Sequence, residues 1–164
     1  MEELISAINV LKGPNNMGSQ VREAASLIYN TSKGSKTKDL TRIGRLNELN
    51  FLVTARGAVT VAKLNVAGNK NTHPDTLDYM ARQILCNGAY RDDGQIREQM
   101  LSAISGNRQT SETTLRAIAY HDQGINGTYA KDKIRNVQRE RKVERDFCLK
   151  FMRRDSRHYL RPCP

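Results

Sequence analysis

The sequence predicts an all-α fold: a solenoid of about three stacked helix pairs with a period of 37–38 residues, closed by a long basic C-terminal helix. Three observations lead there. Short motifs return at a fixed distance along the chain, apolar residues within each returning unit follow helical spacing, and no sustained alternating pattern competes. The one stretch of β-like composition is LNFLVTARGAVTV at 49–61. The repeat register lays it across a helix, a break at Gly57 and the next helix.

Gln20-Val21-Arg22-Glu23 returns almost unchanged as Gln95-Ile96-Arg97-Glu98, 75 residues on, so a middle copy belongs near residue 58. Gly68-Asn69-Lys70-Asn71-Thr72 and Gly106-Asn107-Arg108-Gln109-Thr110 lie 38 apart and give the same period independently. Offsets of 37 and then 38 align Val21, Ala25 and Tyr29 with Ala58, Ala62 and Val66, and then with Ile96, Met100 and Ile104. Each trio is an i, i+4, i+8 stripe, one face of a short helix. A Gly/Asn/Ser-rich turn follows, in which Gly68 or Gly106 is expected to supply a left-handed residue that ends the helix. Ser35, Thr72 and Thr110 share a column as expected N-caps, with Asp39, Asp75 and Glu112 in the next first turn and Pro74 at an early helical position. The second helix of each unit then presents Leu40, Leu77 or Leu115, with Ile43, Met80 or Ile118 three residues later. The small residues Gly44, Ala81 and Ala119 come next and permit close approach by a neighbouring helix. A helix pair that buries one stripe per helix has no core alone, whereas stacked pairs have one.

The units fall near 20–57, 58–94 and 95–129, giving a repeat body over 1–129 and a capping helix and tail over 130–164. A degenerate fourth copy starts at Ile134-Arg135 and then loses the pattern, since Leu115 maps to Arg153. Expected helices are 2–11, 20–29, 37–55, 58–67, 73–86, 95–105, 111–122 and 130–153, with loops at Gly13–Ser19, Asn87–Gly94 and Gln123–Thr128. The tail from Arg153 to Pro164 is expected to be mobile or ordered on binding.

The stretch from Val66 to Ala81, VAGNKNTHPDTLDYMA, resembles the leucine-rich variant repeat, which reads approximately Val-Ala-x-Asn-Pro-x-Thr-Pro-x-x-x-Leu-x-x-Leu-Ala. Ile104 to Ala119 resembles it more loosely, keeping Asn107, Thr110, Leu115 and Ala119, and residues 20–46 resemble it weakly. The resemblance implies a right-handed stack of short helices related to HEAT and armadillo solenoids. Two departures stand out: the proline after Asn is replaced by Lys70 and Arg108, and the period is longer, nearer that of HEAT repeats. The clustered N-terminal cysteines that bind an iron–sulfur centre in one member of the family are not in this sequence, so no cluster is expected. Fold-level likeness of this kind is nearly silent on function.

Composition narrows the classes. A chain of 164 residues is the size of one domain and buries roughly two-thirds of its unfolded surface. No apolar run approaches the ~18 residues of a membrane span, so no membrane partner is expected. The start MEELISAINVLKG is acidic where a secretory signal is basic. Cys86, Cys148 and Cys163 close no disulfide framework and lack metal spacing, which makes a reducing, cytoplasmic location the expectation. No cofactor is expected either. His73, His121 and His158 stand far apart, His73 reading as a capping or surface residue and His121 as a helix-end cation. His121-Asp122 lacks a nucleophile beside it, and Asp92-Asp93-Gly94 is a turn without the rest of a calcium loop. Phosphate loops, dinucleotide fingerprints and nucleophile elbows are absent from the sequence. Some HEAT-like solenoids are DNA glycosylases with an aromatic platform. This chain has no Trp, so a non-enzymatic role is expected.

The net charge of +10 is unevenly distributed: residues 131–164 hold twelve basic and five acidic side chains, leaving +3 for residues 1–130. Such a segment favours anionic partners. Lys33, Lys70 and Arg108 share a turn column and form an expected ladder of cations along one edge, for stacked helices sit about 10 Å apart. Arg22, Arg97 and Arg135 form a second column, interrupted by Val59. The C-terminal helix adds Arg139, Arg141, Lys142 and Arg145, with Ile134, Val137, Val143, Phe147 and Phe151 as its apolar residues. It is expected to dock at two points. The favoured reading is a binding module for a protein partner through a concave face and the turn edge. The alternative is a nucleic-acid-binding module using the ladder and the C-terminal helix.

Overall fold

A computed structural model describes residues 2–13, 18–47, 50–51, 53–90 and 92–154, with the side chains of all but Thr54 and 147–154. The side chains of Phe147, Cys148 and Phe151, and the whole of His158, Cys163 and the tail beyond Arg154, lie outside the described residues. The described residues form eight helices and no strand: α1 Glu2–Lys12, α2 Gly18–Ser32, α3 Thr37–Gly44, α4 Val53–Gly68, α5 Pro74–Leu85, α6 Gly94–Gly106, α7 Glu112–His121 and α8 Ile125–Arg154. None of them is long and apolar enough to cross a membrane.

Each helix is held by the face it buries. In α1, Leu4, Ala7, Ile8 and Leu11 repeat at helical spacing and pack the helix onto α2. Beyond it α2 packs on α4, α4 on α6 and α6 on α8, while α3 packs on α5 and α5 on α7. Leu40, Ile43, Leu77, Met80, Leu115 and Ile118 come from α3, α5 and α7. Val59, Ala62, Val66, Met100, Leu101 and Ile104 meet them from α4 and α6, all fully or almost fully buried. Each of these side chains except the small Ala62 contributes about 1.5–3 kcal/mol on leaving water. Gly44 is small for the reason its column suggests. A Cβ there would stand 2.6 Å from Thr76 Cγ2 and 3.1 Å from Met80 Sδ, so α3 approaches α5 over a bare backbone.

Five sequence expectations change. The predicted helix 37–55 stops at Gly44, and α4 starts at Val53 and runs through Gly57 without a break. The Leu46 carbonyl beyond α3 is taken by Lys63 Nζ at 3.0 Å, and the Phe51 carbonyl by Arg56 Nε at 3.2 Å, so side chains of α4 hold the connection that propensity alone assigns to helix. In α2 the buried residues are Ala24 and Ile28, while Tyr29 is 37% exposed, so Val21–Ala25–Tyr29 is not the inner stripe. Ala24 and Ile28 lie 38 before Ala62 and Val66, whereas Leu40 lies 37 before Leu77. The missing residue therefore falls in the turn between α2 and α3. Gly68 and Gly106 are the last residues of their helices and are not left-handed; among the described residues the one glycine with positive φ is Gly88. N-caps sit one residue later than expected, at Lys36, His73 and Ser111. His73 Nδ1 accepts from Asp75 N and Ser111 Oγ from Thr114 N, with Pro74 at N1. Finally, α8 starts at Ile125, taking in most of the expected loop 123–128.

Gly57 sits inside α4, exposed, with open space where a Cβ would stand. A Gly57→Ala chain is expected to gain about 0.5–1 kcal/mol, because alanine gives up less backbone freedom on entering a helix. A urea midpoint that moves down would contradict that.

Candidate binding surface

The turns that follow α2, α4 and α6 are joined by a series of asparagine bonds. Asn69 Nδ2 donates back to the Ser32 and Gly34 carbonyls at 3.3 and 2.8 Å. Asn107 Nδ2 donates back to the Ala67 and Asn69 carbonyls, both at 2.8 Å. Each asparagine also shapes its own turn, since Asn69 Oδ1 accepts from Asn71 N at 3.0 Å and Asn107 Oδ1 from Gln109 N at 2.9 Å. The threonines expected as caps are used differently: Thr72 Oγ1 donates to the Val66 carbonyl at 2.6 Å, and Thr110 Oγ1 donates to that of Ile104. Both hydroxyls are buried and give a second donor to a carbonyl in the last turn of the preceding helix, which also accepts from Asn69 N or Asn107 N. Side chains thus end α4 and α6 without a left-handed glycine.

The third turn receives its donor from outside the series. Lys133 of α8 places Nζ 2.5 Å from the Ser105 carbonyl and 2.7 Å from that of Asn107. Ser105 and Asn107 stand 38 after Ala67 and Asn69, so the lysine occupies the place a third asparagine would take. Burial lowers the pKa of Lys133 below the usual 10.5, because the charged ammonium gives up water there.

The cations of the first column lie in these turns. Lys33, Lys70 and Arg108 are all exposed. Lys33 Nζ lies 4.0 Å from the centre of the Tyr29 ring, a cation–π contact. Among the described residues neither Lys70 nor Arg108 makes an ion pair. The second column divides. Arg22 and Arg135 are exposed, Arg135 lying 3.2 Å from Asp132. Arg97 is half-buried and reaches Asp122 at 3.4 Å, joining α6 to the corner between α7 and α8.

On α8, Ala130 is fully buried and Ile134 and Val137 are half-buried, which is the first of the two expected docking points. Val143 is 68% exposed. Arg141 pairs with Glu112 at 2.9 Å, next to Gln138, whose Nε2 donates to the same carboxylate at 3.3 Å. Hydrogen bonds from Arg116 and Gln138, with the two guanidinium charges, hold the Glu112 pKa below the usual 4.5. Since Glu112 opens α7 directly after the turn of Arg108, α8 crosses the end of the turn edge. Arg139, Lys142 and Arg145 are exposed.

Sequence reasoning singled out the Asn69 and Asn107 columns as markers of period but gave them no task, and it missed Lys133 altogether. A repeated asparagine in a turn is a readable signal of such a bond. A single lysine in a polar helix carries none. No group of three or more His, Cys, Asp or Glu side chains that could hold a metal occurs among the described residues. Comparison with protein-family models, curated proteins and solved structures finds no match.

Proposed function

We propose that the chain is a non-enzymatic binding module of the cytoplasm, a right-handed α-solenoid akin to leucine-rich variant and HEAT repeats. It engages a protein partner with an acidic surface through its concave face and the turn edge. The observation that carries this reading is the asparagine series, which ties each turn to the one before it and so aligns the turns of Lys33, Lys70 and Arg108. The contacts of α2, α4 and α6 in sequence, and of α3, α5 and α7 beside them, support stacked helix pairs. Exposed cations at stacked turns suit acidic surfaces, where complementary charge steers encounter and selects the partner.

The triple variant Lys33→Glu, Lys70→Glu, Arg108→Glu changes only exposed side chains, so its melting temperature should match that of the parent. Recovery of an acidic protein with the tagged chain should fall about tenfold, equivalent to about 1.4 kcal/mol. Undiminished recovery by the folded variant would count against the turn edge as the binding surface. A second reading, a nucleic-acid-binding module, is favoured by one observation: Arg139, Lys142 and Arg145 stand exposed on α8 and make no ion pair among the described residues.

A further inference from the structure

The body-facing side of α8 is marked by its contacts. Ala130 is buried, Asn126 Nδ2 donates to the Glu98 carbonyl at 3.3 Å, Lys133 caps the third turn, Ile134 and Val137 are half-buried, and Gln138 and Arg141 meet Glu112. At about 3.6 residues per turn, Lys131, Arg135, Arg139, Lys142 and Arg145 share an arc of about 120° turned away from Ala130, Lys133 and Val137, at steps of 4, 4, 3 and 3 residues, with Gln138 inside the edge that Arg145 marks. All five are exposed. Their neighbours succeed one another about every 4.5–6 Å along the axis, and the row is about 21 Å long. Glu140 and Glu144 project to a different side from the row, whereas the exposed Asp146 falls within its arc near the C-terminal end. Asp132 pairs with Arg135 at its edge, and among the described residues the other four make no ion pair.

From this geometry we propose that the outward face of α8 is a binding site for a phosphodiester backbone. The inference narrows the nucleic-acid reading to one helix face and separates it from the turn edge. A protein partner is the poorer fit for this face. Protein interfaces are depleted of charge at their centres and bind through apolar and aromatic anchors, and no apolar side chain lies in the row. A nucleic-acid backbone asks for what the row offers, cations at regular short intervals along a line, with guanidinium groups suited to phosphate oxygens. Three of the five are arginines.

Fluorescence anisotropy of the full chain with a labelled 20-nucleotide DNA strand, its duplex, the same sequence as RNA, and polyglutamate tests the site. Binding to at least one nucleic acid is expected at 50 mM salt. With up to five phosphates neutralised, affinity should fall about 100- to 500-fold between 50 and 200 mM, at the lower end for single strands. The strand that binds tightest assigns DNA or RNA and single or double strand. Reversing Arg135, Arg139 and Lys142 to Glu should lower affinity at least about 100-fold at 50 mM. The turn-edge triple variant should stay within about threefold of the parent. If charge reversal weakens the helix itself, Arg139→Gln with Lys142→Gln, which keeps side-chain bulk, should reduce the salt slope by about two. Three results would overturn the site: no nucleic acid bound at 50 mM, polyglutamate bound as tightly as any of them, or affinity lost in the turn-edge variant and kept in the α8 variants.

Discussion

An Asn107→Ala chain is expected to lose about 2–4 kcal/mol of stability, because one buried side chain serves three backbone groups. Asn107 is 5% exposed, and its amide answers the buried Ala67 carbonyl as well as that of Asn69. Truncation strips both acceptors of this donor and also frees Gln109 N, without room for water to take over at Ala67, which is fully buried. Asn69→Ala is the internal comparison. Its acceptors are the Ser32 and Gly34 carbonyls, the second in an exposed setting, so water replaces part of what is lost and the cost is smaller. Urea unfolding of both variants with an unchanged slope gives the two numbers. Equal costs, or a loss below about 1 kcal/mol at Asn107, would mean that the turns are held together by something else.

A Gly127→Ala chain is expected to lose about 3 kcal/mol or more, the range of substitutions that force backbone apart. Gly127 is the third residue of α8, and a Cβ there would overlap the carbonyl of Asp122, an atom that no side-chain rotation moves aside. The same corner is cross-tied: Gly127 N donates to Asp122 Oδ2 at 3.2 Å, and Arg97 reaches the other carboxylate oxygen at 3.4 Å. To admit a methyl group the start of α8 must lift away, drawing Ala130 out of the core and Lys133 from its two carbonyls. Amide hydrogen exchange should therefore quicken along the first turns of α8 while α5 stays protected. Parental stability and protection in the variant would show that the corner yields cheaply.

Much of the helical plan was legible because it rests on periodic apolar residues. Leu40, Leu77 and Leu115 share a column and share burial, Pro74 opens its helix, and Gly44 is bare where two helices meet. What failed were positions where two residues satisfy the same pattern. Ile28 and Tyr29 are both apolar enough to lead a stripe, and nothing local says which faces inward, so a one-residue shortening of the first turn was spread over the whole unit. A threonine hydroxyl can cap the helix ahead or close the helix behind. Thr72 and Thr110 do the second, because the next residue already provides the cap. The exposed row on α8 was half visible: Arg139, Lys142 and Arg145 stood out as charge, but separating them from Arg141 needed Glu112, which lies 29 residues away in sequence.

The asparagine bonds have a direction. Every amide reaches back towards a turn earlier in the chain, so the first turn supplies acceptors alone and each later one locks onto something already made. That polarity matches the order in which a ribosome delivers the chain, at about 5–20 residues per second. In that order the carbonyls that each asparagine answers are already made when it emerges. The exception is the last turn, where the Ser105 carbonyl, and the Asn107 carbonyl beside its bond from Thr110 N, receive the Lys133 ammonium only after residue 133 has been made. Completion of the body is thereby deferred to the arrival of the helix that also carries the basic row.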